Sequence, residues 1–207
     1  DGYKGQRYFR AGQQISIYEI NGSKIAINIC EDIWFEDGPT KDQADLGAQL
    51  ILNINGSPFD TEKRDISENM LKERALHNNL YISYTNMVGG QDELVFDGSS
   101  LFVKPDGALV ARASQFVEEL LIAEIDLDAV SKPRLHDPRG RIEMRHGETN
   151  TENEVEHIIL SYTPQLSDRE STEMKVAPTL SEEEEVWKAL VVGVRDYLDK
   201  TGFEDVL

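Results

Sequence analysis

A single cysteine, Cys30, in 207 residues leaves no partner for an internal disulfide, so packing and hydrogen bonds must hold the fold, and a cytosolic setting is expected. No apolar run approaches the ~20 residues of a membrane-spanning helix, and the opening Asp1-Gly2-Tyr3-Lys4 is no signal peptide. Basic residues are scarce: 21 Lys and Arg stand against 39 Asp and Glu, a formal charge of −18. Such a surface repels phosphate backbones, which argues against binding nucleic acid or an anionic membrane. The four histidines, His77, His136, His146 and His157, lack the close spacing of a metal site, and none adjoins Cys30 in sequence, so no metal ligands are assigned. A glycine-rich phosphate loop is also missing. There is no initiating Met, and the chain reads as beginning in mid-domain.

What the chain does contain is concentrated in Ile25-Ala26-Ile27-Asn28-Ile29-Cys30-Glu31-Asp32-Ile33-Trp34. An apolar strand runs into the lone thiol, with two carboxylates directly behind it. The C-terminal end of a strand lies at the rim of an α/β sheet, where active sites of such folds gather. A thiolate there is a far better nucleophile near neutral pH than a hydroxyl. Cysteine is also among the most buried residue types, so position alone leaves an inert core thiol as the competing reading.

Three parts follow one another along the chain. Residues 1–126 are strand-rich with one clear helix. Residues 15–20 alternate apolar and polar, Asn21-Gly22 signals a tight turn, and 24–29 return as a buried strand. Residues 50–54 read as an interior strand ended by Gly56-Ser57-Pro58. A helix is predicted from Asp60 to Asn79, capped by Asp60 or Thr61, with Ile66, Met70, Leu76 and Leu80 on its buried face. Strands are predicted at 81–86, at 99–104 and 108–113 as a hairpin across Pro105-Asp106-Gly107, and at 120–125 as the last of this part. Residues 127–180, with Pro133, Pro138, Pro164 and Pro178, read as a linker that wraps a surface. From Ser181, which forms a capping-box pattern with Glu184, a helix carries Val186, Trp187, Leu190, Val191, Val194, Tyr197 and Leu198 as one apolar stripe. Gly202 suits its stop, and 203–207 read as an incoming strand.

Four ordered blocks carry a family resemblance: Arg7-Tyr8-Phe9, Asn28-Ile29-Cys30-Glu31-Asp32-Ile33-Trp34, Asn55-Gly56-Ser57-Pro58-Phe59, and Gly89-Gly90-Gln91-Asp92-Glu93-Leu94-Val95-Phe96-Asp97-Gly98. Together they resemble the glutaminase domain of glutamine-dependent NAD synthetases, a branch of the nitrilase superfamily. The helix from Ser181 is similar to the one that opens the ATP-dependent synthetase domain of that family, where the next strand leads to a Ser-Gly-Gly-x-Asp-Ser loop that grips the ATP pyrophosphate. The resemblance implies an α/β fold. Residues 1–126 would be an N-terminally truncated nitrilase-like α-β-β-α sandwich, 127–180 an interdomain linker, and 181–207 the start of the synthetase domain.

It also implies a chemistry. Cys30 would attack the side-chain amide of glutamine, and the ammonia would pass to a second site that uses ATP and Mg2+ to convert nicotinic acid adenine dinucleotide to NAD. No cofactor is expected in this segment itself. The family's glutamate base and oxyanion lysine lie N-terminal to the block that matches Arg7-Tyr8-Phe9. Lys4 and Glu19 are the nearest by residue type, match no motif and take no role. A partial sequence with little or no catalysis of its own is therefore expected, and a homo-oligomer is expected from the resemblance. Two alternatives stand beside this reading: a free-standing nitrilase-type carbon–nitrogen hydrolase, and a noncatalytic nitrilase-like interaction domain.

Four further residues are candidates for binding substrate, each with a plainer alternative. Glu31 would bind the α-amino group of glutamine; otherwise it is a solvated carboxylate or part of an ion pair. Ser57 resembles the family's substrate-contacting serine, and is otherwise a turn residue. Lys63 would pair with the glutamine carboxylate, or is an exposed helix lysine. Trp34 would wall the pocket, or is core. Gly89-Gly90 and Asp97-Gly98 are expected to shape turns, and residues 91–93 to serve the contact between the two domains.

Overall fold

The computed structural model describes residues 12, 14–130, 154–160 and 173–203. Arg7-Tyr8-Phe9, Pro133, Pro138, Pro164, His136, His146 and all but the first residue of the expected strand 203–207 lie outside the described residues.

A seven-stranded sheet runs in the order β8-β7-β4-β3-β2-β1-β9. Strands β1 (Gln14–Ile20) and β2 (Ser23–Ile29) form an antiparallel hairpin. Its turn residues Asn21 and Gly22 both have positive φ, 50° and 80°, as a two-residue turn matching the strand twist requires. Beyond β2 the chain makes a 3-10 turn, Cys30–Trp34, and a short helix, α1 (Pro39–Asp45). Then β3 (Leu50–Asn55), helix α2 (Lys63–Asn78) and β4 (Tyr81–Asn86) continue the sheet, with β2, β3 and β4 parallel. Strands β5 (Val88–Gln91) and β6 (Leu94–Asp97) form a separate two-stranded hairpin. The hairpin of β7 (Leu101–Val103) and β8 (Leu109–Arg112) returns to the main sheet antiparallel to β4.

Register explains the core. Ile17, Ala26, Ile51, Ile82 and Val103 pair in succession across β1, β2, β3, β4 and β7, and all five are fully buried. Residues of α1 and α2 pack on this row: Ala44, Leu71 and Ala75 belong to the same cluster. Each isoleucine so buried contributes about 1.5–3 kcal/mol. A smaller cluster of Leu50, Tyr81, Val110, Ala111 and Val130 covers part of the other face. Nearer the C-terminal rim that face leaves Ile27, Ile29 and Ile54 exposed.

Five expectations change. Residues 120–125 form no strand, although Leu121, Ala123 and Ile125 pack on the second cluster. The edge of β8 is taken instead by residues 175–177, since Arg112 exchanges backbone hydrogen bonds with Lys175 and Ala177. Second, the stretch read as linker contributes β9 (Glu154–Leu160), which pairs in parallel with β1. Third, α2 begins at Lys63, later than expected, though Asp60 does cap its start: Asp60 Oδ1 accepts the Glu62 N–H at 3.1 Å and the Asp60 carbonyl accepts the Lys63 N–H at 3.1 Å. The helix buries Met70, Leu71, Arg74 and Ala75, while Ile66 and Leu76 point to solvent. Arg74 draws that face inward by donating to the carbonyls of Ile33 and Trp34.

Fourth, helix α3 (Glu182–Thr201) forms with the expected Ser181–Glu184 capping box and left-handed Gly202, but rotated. Glu185, Ala189 and Val192 are buried, and Val186, Trp187, Leu190, Val191, Val194 and Tyr197 are exposed. Fifth, Gly89-Gly90 lies in β5 rather than a turn. A Cβ on Gly90 would meet the Gly193 Cα at 3.3 Å, so these two glycines let α3 lie close on the hairpin. Asp196 accepts the Gly90 N–H at 2.6 Å, and Lys200 donates to the Gly90 carbonyl and to Gln91 Oε1. Residues 90 and 91 thus contact the terminal helix.

Candidate functional site

The parallel strands β2, β3 and β4 end at one rim, and that rim is polar. Asn28, Asn53 and Tyr84 are register partners, two residues beyond the apolar row. One step further, Asn55 pairs with Asn86, and Cys30 follows Ile29, the register partner of Ile54. The sheet therefore brings Cys30, Asn55 and Asn86 to adjoining strand ends.

Cys30 is half-buried and free, with φ of 49°. The left-handed region costs a non-glycine residue on the order of 1–2 kcal/mol, so something must hold it. Three contacts brace the turn. Asp32 Oδ2 accepts the Ile29 N–H at 2.9 Å, Asn53 Nδ2 lies 3.4 Å from the Cys30 carbonyl, and Arg74 grips the far end at Ile33 and Trp34. The buried Ile33 side chain pins the same turn into the core.

Ser57 is buried, and Asn86 clamps its backbone in both directions. The Ser57 N–H donates to Asn86 Oδ1 at 2.9 Å, and Asn86 Nδ2 donates to the Ser57 carbonyl at 3.2 Å. Burial pushes the Tyr84 phenol up to about 12; its hydrogen bond with Ser57 opposes the rise, and the neighbouring Cys30 and Asp97 add to it. Tyr84 is thus a neutral hydroxyl set between the serine and the thiol.

Lys63, the first residue of α2, lines one cleft with Ser57, Tyr84, Asn86 and Asp97. It is half-buried and has no ion-pair partner among the described residues. An ammonium at the positive end of a helix is poorly placed unless an anion joins it. Of the residues singled out from the sequence, Ser57 and Lys63 share this cleft; Cys30 does not line it, but lies near enough to the lining Tyr84 to act on its phenol. Glu31 is exposed on the Cys30 turn, without an ion pair among the described residues. Trp34 packs against the main core and does not line the cleft.

Sequence reasoning missed Asn53, Tyr84 and Asn86. Their strands were legible, but the residues meet only through strand register. Among the described residues no three of His, Cys, Asp and Glu gather as a metal site, and no helix is long and apolar enough to cross a membrane.

Comparison with known proteins places the chain in a family and a fold. The sequence pattern of the carbon–nitrogen hydrolase family matches residues 1–134. The glutamine-dependent NAD(+) synthetase of Aquifex aeolicus is 42% identical over 201 residues, covering 97% of this chain and 34% of that protein. The corresponding synthetase of Thermotoga maritima is 35% identical over 207 residues, covering 98% of this chain and 34% of its own length. The chain therefore spans about a third of the length of these relatives. The structure of glutamine-dependent NAD+ synthetase from Acinetobacter baumannii, in complex with ADP, superposes with a TM-score of 0.71 at 30% identity, over 99% of this chain and 31% of that one. A carbon-nitrogen hydrolase from Helicobacter pylori G27 gives a TM-score of 0.59 at 25% identity, over 73% of this chain and 56% of that one, so the fold is nitrilase-like.

Proposed function

The chain belongs to the carbon–nitrogen hydrolase family, and from that premise we propose that it is the glutamine-hydrolysing part of a glutamine-dependent NAD synthetase. Cys30 is the nucleophile. Its thiolate adds to the side-chain amide carbon of glutamine, giving a tetrahedral oxyanion. Collapse breaks the C–N bond, the nitrogen takes a proton and leaves as ammonia, and water then hydrolyses the γ-glutamyl thioester to glutamate and free thiol. At a synthetase site ATP would activate the carboxylate of nicotinic acid adenine dinucleotide, with Mg2+ as cofactor, and the ammonia would displace the activating group to give the amide. No described residue is assigned to hold ATP or Mg2+.

The observation that carries this reading is the placement of one thiol, in a braced left-handed turn at the end of β2, on the same rim of the sheet as Tyr84 and Asn86, which line a cleft with a fixed serine and with Lys63, a lysine that has no ion-pair partner among the described residues. Lys63 and the N-terminus of α2 suit the α-carboxylate of glutamine, Ser57 its polar head, and the exposed Glu31 its ammonium. The general base and the oxyanion lysine of the family are assigned to no residue of this chain. A cytoplasmic setting and a homo-oligomeric assembly belong to the same proposal.

The test is ammonia release from glutamine by the full-length protein and its Cys30→Ala variant. Loss of at least ~1,000-fold in glutamine hydrolysis is expected, because the nucleophile is gone, while synthesis from added ammonium salt continues. Glutamine hydrolysis that survives Cys30→Ala sinks the assignment.

A further inference from the structure

On the reading that Cys30 hydrolyses a carboxamide, we propose that Asn53 is a positioning residue for the nucleophile. Its side-chain amide holds the Cys30 carbonyl and thereby fixes the peptide that follows the thiol, from within a chain of buried amides anchored on α1.

The chain is directional. Asn55 Nδ2 donates to Asn53 Oδ1 at 2.6 Å, Asn53 Nδ2 donates to Asn28 Oδ1 at 2.6 Å, and Asn28 Nδ2 donates to Thr40 Oγ1 at 2.9 Å and Gln43 Oε1 at 3.2 Å. Gln43 Nε2 closes it on the Ile27 carbonyl at 2.8 Å. Every amide donates the same way, so each polarises the next. Asn55 Nδ2 also reaches the Asn53 and Thr85 carbonyls, which sets the sense of the whole row and leaves Asn55 Oδ1 without a partner among the described residues.

Packing alone does not call for this row. Asn28, Asn53 and Asn55 retain only 3%, 1% and 7% of their surface, and buried amides lose water that aliphatic side chains would not miss. Two residues earlier the same strands fill the same layer with Ala26 and Ile51. What the amides hold, and aliphatic groups could not, is the Cys30 carbonyl, 3.4 Å from Asn53 Nδ2. A trans peptide is planar, with C=O and N–H opposed. Drawing the Cys30 carbonyl toward the row therefore turns the Glu31 N–H to the opposite side, away from it. A donor oriented before substrate arrives is what stabilisation of a developing oxyanion requires.

The experiment replaces Asn53 in the full-length protein with Leu, and with the isosteric Asp, which cannot donate when ionised. Glutamine hydrolysis is measured alongside the pH dependence of Cys30 alkylation by iodoacetamide and thermal unfolding. Because Cys30 is the chain's one cysteine, the mass shift in its peptide reports that residue alone. The expected result is a fall in kcat of roughly 10- to 100-fold with KM within about twofold. Alkylation needs no oxyanion donor, so its pH profile should hold in Asn53→Leu, which adds no charge beside the thiol. A variant whose kcat is unchanged overturns the proposal. So does one whose kcat, alkylation and melting temperature fall together, or failure of both variants to fold, since the row is then purely architectural. Wild-type protein that alkylates but releases no ammonia counts instead against the glutaminase reading.

Discussion

Lys63 shows how one residue takes its meaning from its surroundings. By sequence it is one helix lysine among others; by position it is a half-buried cation at the wrong end of a helix dipole, facing Ser57 across a cleft. An anion is the partner it lacks among the described residues, and the carboxylate of glutamine is the proposed one. Lys63→Met should raise KM for glutamine roughly 10- to 100-fold, the worth of one charge-assisted contact, and change kcat much less. Steady-state kinetics on the full-length variant decide it, and an unchanged KM would remove Lys63 from the site. Cys30 was legible because a thiol after an apolar run is visible in a linear reading. Tyr84 and Asn86 were not, since their roles arise from lying beside Ser57 and one strand away from Asn53 and Asn55.

Among elements, α3 separates what local patterns encode from what they do not. Its start and stop were legible because Ser181, Glu184 and Gly202 act on the adjoining backbone. Its buried face was not. The large apolar side chains invite burial, yet the helix seats itself by small residues and one acid, with Gly193 against the hairpin and Glu185 beneath. Strand β9 and the docking of 175–177 on β8 escaped a local reading for the same reason: each depends on a partner far away in sequence. Glu185 accepts from Arg64 and from Gln115 Nε2, the latter at 2.8 Å, and Arg64 Nη1 also reaches the Leu180 carbonyl. Ser181→Ala, which removes a cap, should cost about 1 kcal/mol. Glu185→Ala removes a buried carboxylate to which Arg64 and Gln115 both donate, while Arg64 keeps Asp65 and the Leu180 carbonyl, and should cost about 2 kcal/mol. Chemical denaturation of both variants gives the comparison, and equal losses would show that the pair does not anchor the helix.

For the molecule as a whole, three carboxylates tie residues 175–203 to the rest of the fold. Burial works to raise Glu68, but hydrogen bonds from Lys72 and Arg112 outweigh it and hold the carboxyl low; Arg112 in turn donates to the Ala177 carbonyl. Glu119 is held low chiefly by Lys175. Burial would raise Asp196 too, yet the Gly90 N–H and Arg195 keep it low. All three are depressed in the folded state. Their contribution is therefore complete above the unfolded carboxylate pKa and is lost as pH falls through the lower folded values. Amide hydrogen exchange at about pH 3 should accordingly show α3 and 175–177 opening before β2, β3 and β4; simultaneous opening would contradict this. The pairing of β9 with β1 sets a clock of another kind. Ser16 and Glu156 lie 140 residues apart, yet their side chains hydrogen-bond across that parallel pair. At a synthesis rate of roughly 5–20 residues per second, β1 leaves the ribosome ~7–28 s before its outer neighbour exists. Throughout that interval the nascent chain carries an open strand edge, the form of backbone that chaperones shield and that other chains pair with by mistake.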